Sequence, residues 1–251
     1  MIPRVVFHAD DLGISPGVSR GVARAVEAGP VRAVSLCVTG DDAEGGAALA
    51  RRWIGEVDLG LHLSFTLGRA VSGPIDGLTD GLGRFPPLPE ALARLRLGLP
   101  PSALLRREVR AQLDRAAALG VPLDHLDGHH HAHTFPGVRD AVLSVAGHLR
   151  LIRGLARAFR RRAAAREIPL DALPFTGLDL HDRADFAARL VALLAAPPAP
   201  AFELMVHPRE EDATFRRLDR LGPRGERWRV ELDALTRPPE GCRPSRFSRS
   251  R

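Results

Sequence analysis

Residues 123–136 read Leu123-Asp124-His125-Leu126-Asp127-Gly128-His129-His130-His131-Ala132-His133-Thr134-Phe135-Pro136. Leu123 to Asp127 has the length and apolar content of a buried strand, and Pro136 opens a helical stretch that runs to Gly147. Between them lies a histidine cluster. A strand that ends in ionisable side chains and passes into a helix is one unit of a parallel α/β fold, and the pattern repeats along the chain. Arg4 to His8 is strand-like and runs into Asp10-Asp11-Leu12-Gly13, followed by a helix over Pro16–Ala28 with Ser15 as N-cap and Pro16 in its first position. A strand over Val31–Val38 leads to a helix over Ala43–Trp53. A strand over Val57–Leu63 carries Gly60-Leu61-His62-Leu63. Residues 64–88, rich in Gly and Pro, form a long loop, and an amphipathic helix over Pro101–Leu119 ends at Gly120. A strand at Leu149–Arg153, a helix at Ala184–Ala196 and a strand at Phe202–Val206 complete the series, the last running into His207-Pro208.

Several βαβ units within 251 residues fit an α/β barrel or a doubly wound sheet. In either, the C-terminal ends of the strands converge on the functional site, so four segments distant in sequence can bring carboxylates and imidazoles together. Residues 1–236 read as a single domain. The tail over 237–251 is rich in Arg and Pro and is expected to be partly disordered.

Composition excludes several classes. Hydrophobic residues make up 45% and charged residues 26%, an ordinary globular balance. No apolar run approaches the roughly 20 residues that span a bilayer, so no membrane partner is expected. The N-terminus enters a strand without a signal-peptide pattern, and Cys37 and Cys242 stand far apart in no metal-like spacing. Together these predict a reduced, cytoplasmic setting. The net charge of +6 would suggest nucleic acid, but all 36 basic residues are Arg, while Lys, Asn and Tyr are missing. That is the signature of GC-rich codon usage, and no nucleic-acid partner is expected. Arg157, Arg160, Arg161, Arg162 and Arg166 read as a solvated helix face.

One carboxylate and two imidazoles with open positions for water make a catalytic metal site. Neighbouring carboxylates at a strand end cannot both point the same way, because strand side chains alternate. One of Asp10 and Asp11 can therefore hold a metal while the other acts as a base. Each motif alone has a plainer reading: a capping turn for the Asp pair, a structural histidine at 62, a strand end at 207, a nonspecific metal tract at 125–133. His8, His148 and His181 have no supporting context and read as structure or surface. Coincidence of all four motifs at strand ends favours a site.

Ala9-Asp10-Asp11-Leu12-Gly13, Gly60-Leu61-His62-Leu63, His125 to His133 with Phe135-Pro136, and Glu203-Leu204-Met205-Val206-His207-Pro208 together resemble the YdjC/ChbG-type carbohydrate deacetylases. Gln112 and Gly120 fall in a helix and turn similar to the family's segment before the His-rich signature. The resemblance covers residues 3 to 236 and implies a (β/α) barrel, incomplete or distorted, related to polysaccharide deacetylases. It implies removal of acetyl groups from N-acetylated sugars, chitooligosaccharides among them. By the same resemblance, Asp11, His62 and His129 match the metal ligands, Asp10 the catalytic base, and His207 the acid for the leaving amine. His125, Asp127, His131, His133 and Arg153 fall to orienting the imidazoles or touching substrate. One divalent cation is implied, usually assigned as Mg²⁺, although an Asp-His-His set suits Zn²⁺ at least as well. A carbohydrate partner and a homodimer are carried over in the same way. Two departures stand out: Gly128 replaces the usual Ser, and Arg209 follows His207-Pro208 where a small residue is common.

Two other readings compete. A metal-dependent phosphoesterase or another amidohydrolase on an α/β barrel would also gather His and Asp at strand ends, but with more carboxylates for a second metal. A non-catalytic protein could bind metal through its His cluster or DNA through its arginines.

Overall fold

The computed structural model describes residues 2–146, 149–151, 173–181, 183–218, 227–237 and 239–247. Among these residues eight strands form one sheet: β1 (Arg4–Leu12), β2 (Val31–Leu36), β3 (Asp58–Leu63), β4 (His125–Gly128), β5 (Arg150–Leu151), β6 (Phe175–Thr176), β7 (Ala201–Val206) and β8 (Arg243–Pro244). Their order is β5-β4-β3-β2-β1-β7-β6, with β8 added against β1, and every pairing is parallel. The helices are α1 (Pro16–Ala28), α2 (Ala43–Arg52), α3 (Leu88–Arg96), α4 (Ser102–Ala118), α5 (Pro136–Val145), α6 (Phe186–Ala195), α7 (Ala213–Leu218) and α8 (Arg227–Leu235). The sheet therefore follows the βαβ pattern read from the sequence. α1 begins as expected, with Pro16 in the first turn and the Val18 N–H donating to Ser15 Oγ at 3.3 Å.

The sheet curls into a half-barrel. β1 and β4 are three strand steps apart, about 14 Å in a flat sheet. Yet His8 Nε2 on β1 and His125 Nε2 on β4 are 3.2 Å apart. The intervening β3 makes room with Gly60, where a Cβ would stand 2.2 Å from His125 Nε2. The concave side is thus lined by polar groups. The apolar core lies between the convex side and the helices, with Val18, Val22 and Ala25 of α1 and Leu105, Val109 and Ala116 of α4 buried against the strands. Neighbouring β-strand area of this kind, buried on both faces, gives the near-continuous apolar runs seen in β1 and β2.

Several boundaries differ from the sequence expectation. β1 does not stop at His8 but continues through Asp10 and Asp11 to Leu12. α3 occupies residues for which periodicity gave no assignment. Of the strand expected at Leu149–Arg153, β5 covers Arg150 and Leu151; Arg153, and the arginines from 157 to 166, lie outside the described residues.

Part of the tail is ordered: residues 243–247 pack against the sheet. β2 begins pairing opposite Phe7, which leaves the edge of Arg4 and Val5 to β8. The Arg243 N–H donates to Pro3 O and the Ser245 N–H to Val5 O, each at 2.9 Å. Phe247 is buried under the half-barrel, edge-on to both His8 and His125. An aromatic anchor and ladder hydrogen bonds outweigh the disorder-prone composition of this segment.

Candidate active site

The two acids on β1 separate because the strand is irregular there. Its register against β2 shifts between Ala9 and Leu12, and Asp11 has φ 71°. A left-handed non-glycine residue costs on the order of 1–3 kcal/mol and marks a place where geometry is imposed. The kink leaves Asp10 buried inside the half-barrel and turns Asp11 toward the ends of β3 and β4.

There Asp11 meets two imidazoles. Asp11 Oδ1 lies 3.0 Å from His62 Nε2 and 3.0 Å from His129 Nδ1, and the two ring nitrogens are 3.3 Å apart. Burial works against an ionised Asp11, but the charge and hydrogen bonds of His129 and His62 hold its carboxyl well below the usual range. Burial likewise opposes a charged His62, but Asp127 and Asp11 raise it well above an ordinary histidine.

This triangle fits a cation. Ligand atoms about 2.1 Å from a metal stand about 3.0 Å apart at right angles and about 3.4 Å apart at tetrahedral angles. All three observed separations fall in that range, and the donors are the oxygen–nitrogen–nitrogen set of a mononuclear site. His62 is also held from behind: its Nδ1 lies 3.0 Å from Asp127 Oδ1 and 3.1 Å from Ser35 Oγ, and the Ser35 hydroxyl donates to Asp127 Oδ2 at 3.2 Å. A carboxylate behind a ligand imidazole fixes its tautomer and orientation.

His8, Asp10 and Asp127 also approach one another closely enough to share an ion. Their side chains have other engagements. Asp127 is bonded to His62 and Ser35, and His8 Nδ1 lies 3.0 Å from Glu203 Oε1. The exposed end of the constellation is the Asp11 triangle.

Asp10 and His207 stand beside that triangle, with His207 Nε2 3.8 Å from Asp10 Oδ2. Burial, and then the neighbouring His181, push the His207 imidazole down to about 3. Its ring lies 4.3 Å from that of His181, centroid to centroid. The backbone N–H of His207 donates to Glu231 Oε1 at 2.6 Å.

The His-rich turn places the rest. His129 to Thr134 form a 3-10 turn in which His130 and His131 have φ 51° and 53°. The conformation sets the His130 ring 3.9 Å from that of His129, with its Nδ1 2.9 Å from Thr66 Oγ1. Burial pushes His130 down to about 2, so its ring is a neutral part of the wall. His131 lies against Phe175, and His133 is buried behind Gly128, where a Cβ would stand 2.7 Å from His133 Nδ1. A bulkier residue at 128 would therefore require His133 to shift.

Above the site is a cavity of about 850 Å³ with Asp10, Asp11, His62, His129 and His207 on its surface and Arg69, Arg84 and Phe85 among its walls. The expected long loop supplies part of that wall, and α4 pins it. Gln112 accepts from the Ser64 N–H at 3.0 Å and donates to Ser64 O at 2.6 Å, while Glu108 accepts from the N–H groups of Val71 and Ser72.

Thus Asp10, Asp11, His62, His129, Asp127 and His207 come together, with His131 at the cavity edge. His125 does not reach it: it lies deeper in the half-barrel with His8 and Glu203. Arg153 is outside the described residues. Sequence reasoning read His8 and His181 as structure or surface and did not single out Glu231. His8 stands two residues before Asp10 on one strand, so alternation could have placed both inside. Neither His181 nor Glu231 carried such a signal.

A model of the family described as YdjC-like protein matches residues 4–239. The carbohydrate deacetylase of Brevibacillus brevis is 36% identical over 148 residues, 59% of this chain and 57% of that protein. One from Vibrio cholerae (strain O395) is 37% identical over 143 residues, 57% of this chain and 55% of that protein. The match thus spans little more than half the length of these two curated relatives. The chitooligosaccharide deacetylase of Enterobacter sp. (strain 638) is 30% identical over 244 residues, 93% of this chain and 91% of that protein. Among solved structures, a protein from Enterococcus faecalis V583, provisionally named a cellobiose-phosphate cleavage protein, superposes with a TM-score of 0.78. It is 18% identical, with 99% of this chain and 98% of that one covered, a likeness of fold.

Proposed function

The chain belongs to the YdjC-like protein family, and on that premise we propose that it is a metal-dependent hydrolase that removes acetyl groups from N-acetylated sugars. The observation that carries the reading is the triangle of Asp11, His62 and His129 on the cavity floor, with Asp10 and His207 beside it. A divalent cation held by those three side chains would lower the pKa of a water and draw charge from an amide carbonyl. The two-nitrogen, one-oxygen donor set suits Zn²⁺ as well as Mg²⁺.

In this mechanism Asp10 takes a proton from the attacking water. His207 rests as a neutral imidazole, because burial and His181 hold it near 3. It therefore does not wait in the protonated form. The proton it delivers to the sugar nitrogen is acquired within the cycle, and Asp10, 3.8 Å from Nε2, is the nearby carrier. General acid–base help of this kind contributes ~10²–10⁴-fold. The cavity walls exclude water and hold the sugar, in the way of concave carbohydrate sites with a few placed polar groups.

The test is acetate release from N-acetylglucosamine oligomers by protein stripped with a chelator and reloaded with Mg²⁺ or Zn²⁺. Activity that disappears on stripping and returns with one cation supports the reading and identifies the metal. Release of phosphate from a generic ester, without acetate release by fully loaded protein, would overturn it in favour of a phosphoesterase.

A further inference from the structure

We infer that Glu231 is a positioning residue for His207: its carboxyl oxygen, carried in by α8, holds the turn that aims the imidazole at Asp10. The inference rests on the proposed deacetylase reading, in which His207 handles the proton of the leaving nitrogen.

β7 ends at Val206, and its last register partner on β1 is Ala9. On the other side β6 pairs only Glu203 and Leu204. Among the described residues no strand register extends to His207, and Pro208 after it has no N–H to anchor the turn. The His207 N–H is therefore the main-chain donor at the ring's own residue; farther along the chain, the Glu210 N–H donates to Gly17 O at 2.9 Å. A main-chain N–H withdrawn from water needs an acceptor, and for the part-buried His207 Glu231 Oε1 supplies one at 2.6 Å.

Glu231 itself is fully buried. A carboxylate in such a place is costly unless it is used. Burial lifts it to about 7, while the His207 N–H and Arg209 pull the other way. Both protonation states keep an oxygen that can accept from His207. The requirement is thus the reach of the acceptor, not its charge, and that distinguishes positioning from a charge effect.

Two variants separate reach from charge. Glu231→Gln keeps the side-chain length and an acceptor oxygen but removes the charge. Glu231→Asp keeps the charge and withdraws the acceptor by one methylene. With metal-loaded protein and an N-acetylglucosamine oligomer, Gln should stay within ~3-fold of the parent in kcat. Asp should lose ~10–100-fold in kcat, with KM and bound metal little changed, since misplacement by about 1 Å can cost ~10²-fold. The His207 amide proton, read by ¹⁵N–¹H NMR, should keep its hydrogen-bonded shift in Gln and lose it in Asp. The opposite order of the two variants, equal losses, or full activity in Asp would overturn the inference, as would a KM or metal defect that accounts for the loss. If the parent releases no acetate, the deacetylase reading fails first, and the amide shifts still decide whether Glu231 holds the turn.

Discussion

His62 on β3 and Asp127 on β4 are register partners, and their side chains meet at 3.0 Å through Nδ1 and Oδ1. That pairing leaves His62 Nε2 directed at Asp11 and His129. Adjacent strands thus build the candidate ligand and its support together: the ladder that holds the sheet also sets the imidazole's orientation. Loss of such a carboxylate typically weakens metal binding 10–100-fold. Asp127→Asn should weaken divalent-cation binding by ~10-fold and Asp127→Ala by ~100-fold, measured by calorimetric titration of stripped protein. Unchanged affinity in both would remove Asp127 from the support of the site.

The kink at Asp11 separates the contacts of two neighbouring acids. Asp11 touches both imidazoles, whereas Asp10 faces His207. Asp10→Asn should therefore lower turnover by ~10²–10⁴-fold with metal content near one ion per chain. Asp11→Asn should lose the ion itself. Metal analysis beside acetate release on the same samples checks both, and an Asp10→Asn protein at full activity would reassign the base.

Much of this arrangement was legible from the sequence, for a physical reason. A parallel sheet sends the C-terminal ends of its strands to one side, so residues after each apolar run are brought together whatever their separation along the chain. That rule brings the Asp10-Asp11 pair, His62 and the His cluster to one place; the choice of Asp11 over Asp10, and of His129 within its cluster, came from the family resemblance. What stayed hidden depends on curvature and on helices arriving late in the chain. His8 meets His125 only because the sheet curls past Gly60. Glu231 reaches His207 only through the docking of α8. Composition does not decide the tail, where one buried aromatic and two ladder bonds order a segment that reads as Arg- and Pro-rich.

The low pKa of His207 also ties stability to pH. An unfolded histidine takes up its proton near 6.5, but the folded ring does so only near 3. Between those values the unfolded chain binds more protons, so stability falls as pH drops through that window. At pH 5 the loss from this one ring is ~1–2 kcal/mol. His207→Gln removes the effect, so its urea midpoint should decline less between pH 7 and 5 than that of the parent. The comparison is made on metal-free protein so that ligand protonation does not enter through binding. Parallel declines would mean that the folded His207 titrates normally.

Phe247 closes the deep end of the half-barrel. Its ring lies 5.7 Å from that of His8 and 5.4 Å from that of His125, edge-on to both, and it packs with Val6 and Ala33. Those histidines link Glu203 on β7 to β4 across the interior. Truncating a buried Phe to Ala costs about 3–5 kcal/mol through lost burial and the cavity left behind. Here the cavity would also admit water to a buried chain of imidazoles, which weakens the contact between the two sides of the sheet. Phe247→Ala should lower the unfolding free energy by that order, read as a fall in the denaturant midpoint at constant slope, and truncation after Pro244 should do at least as much. An unchanged midpoint in both proteins would mean that the packed tail contributes nothing to the fold. A loss in both makes residues 243–247 part of the domain rather than an appendage to it.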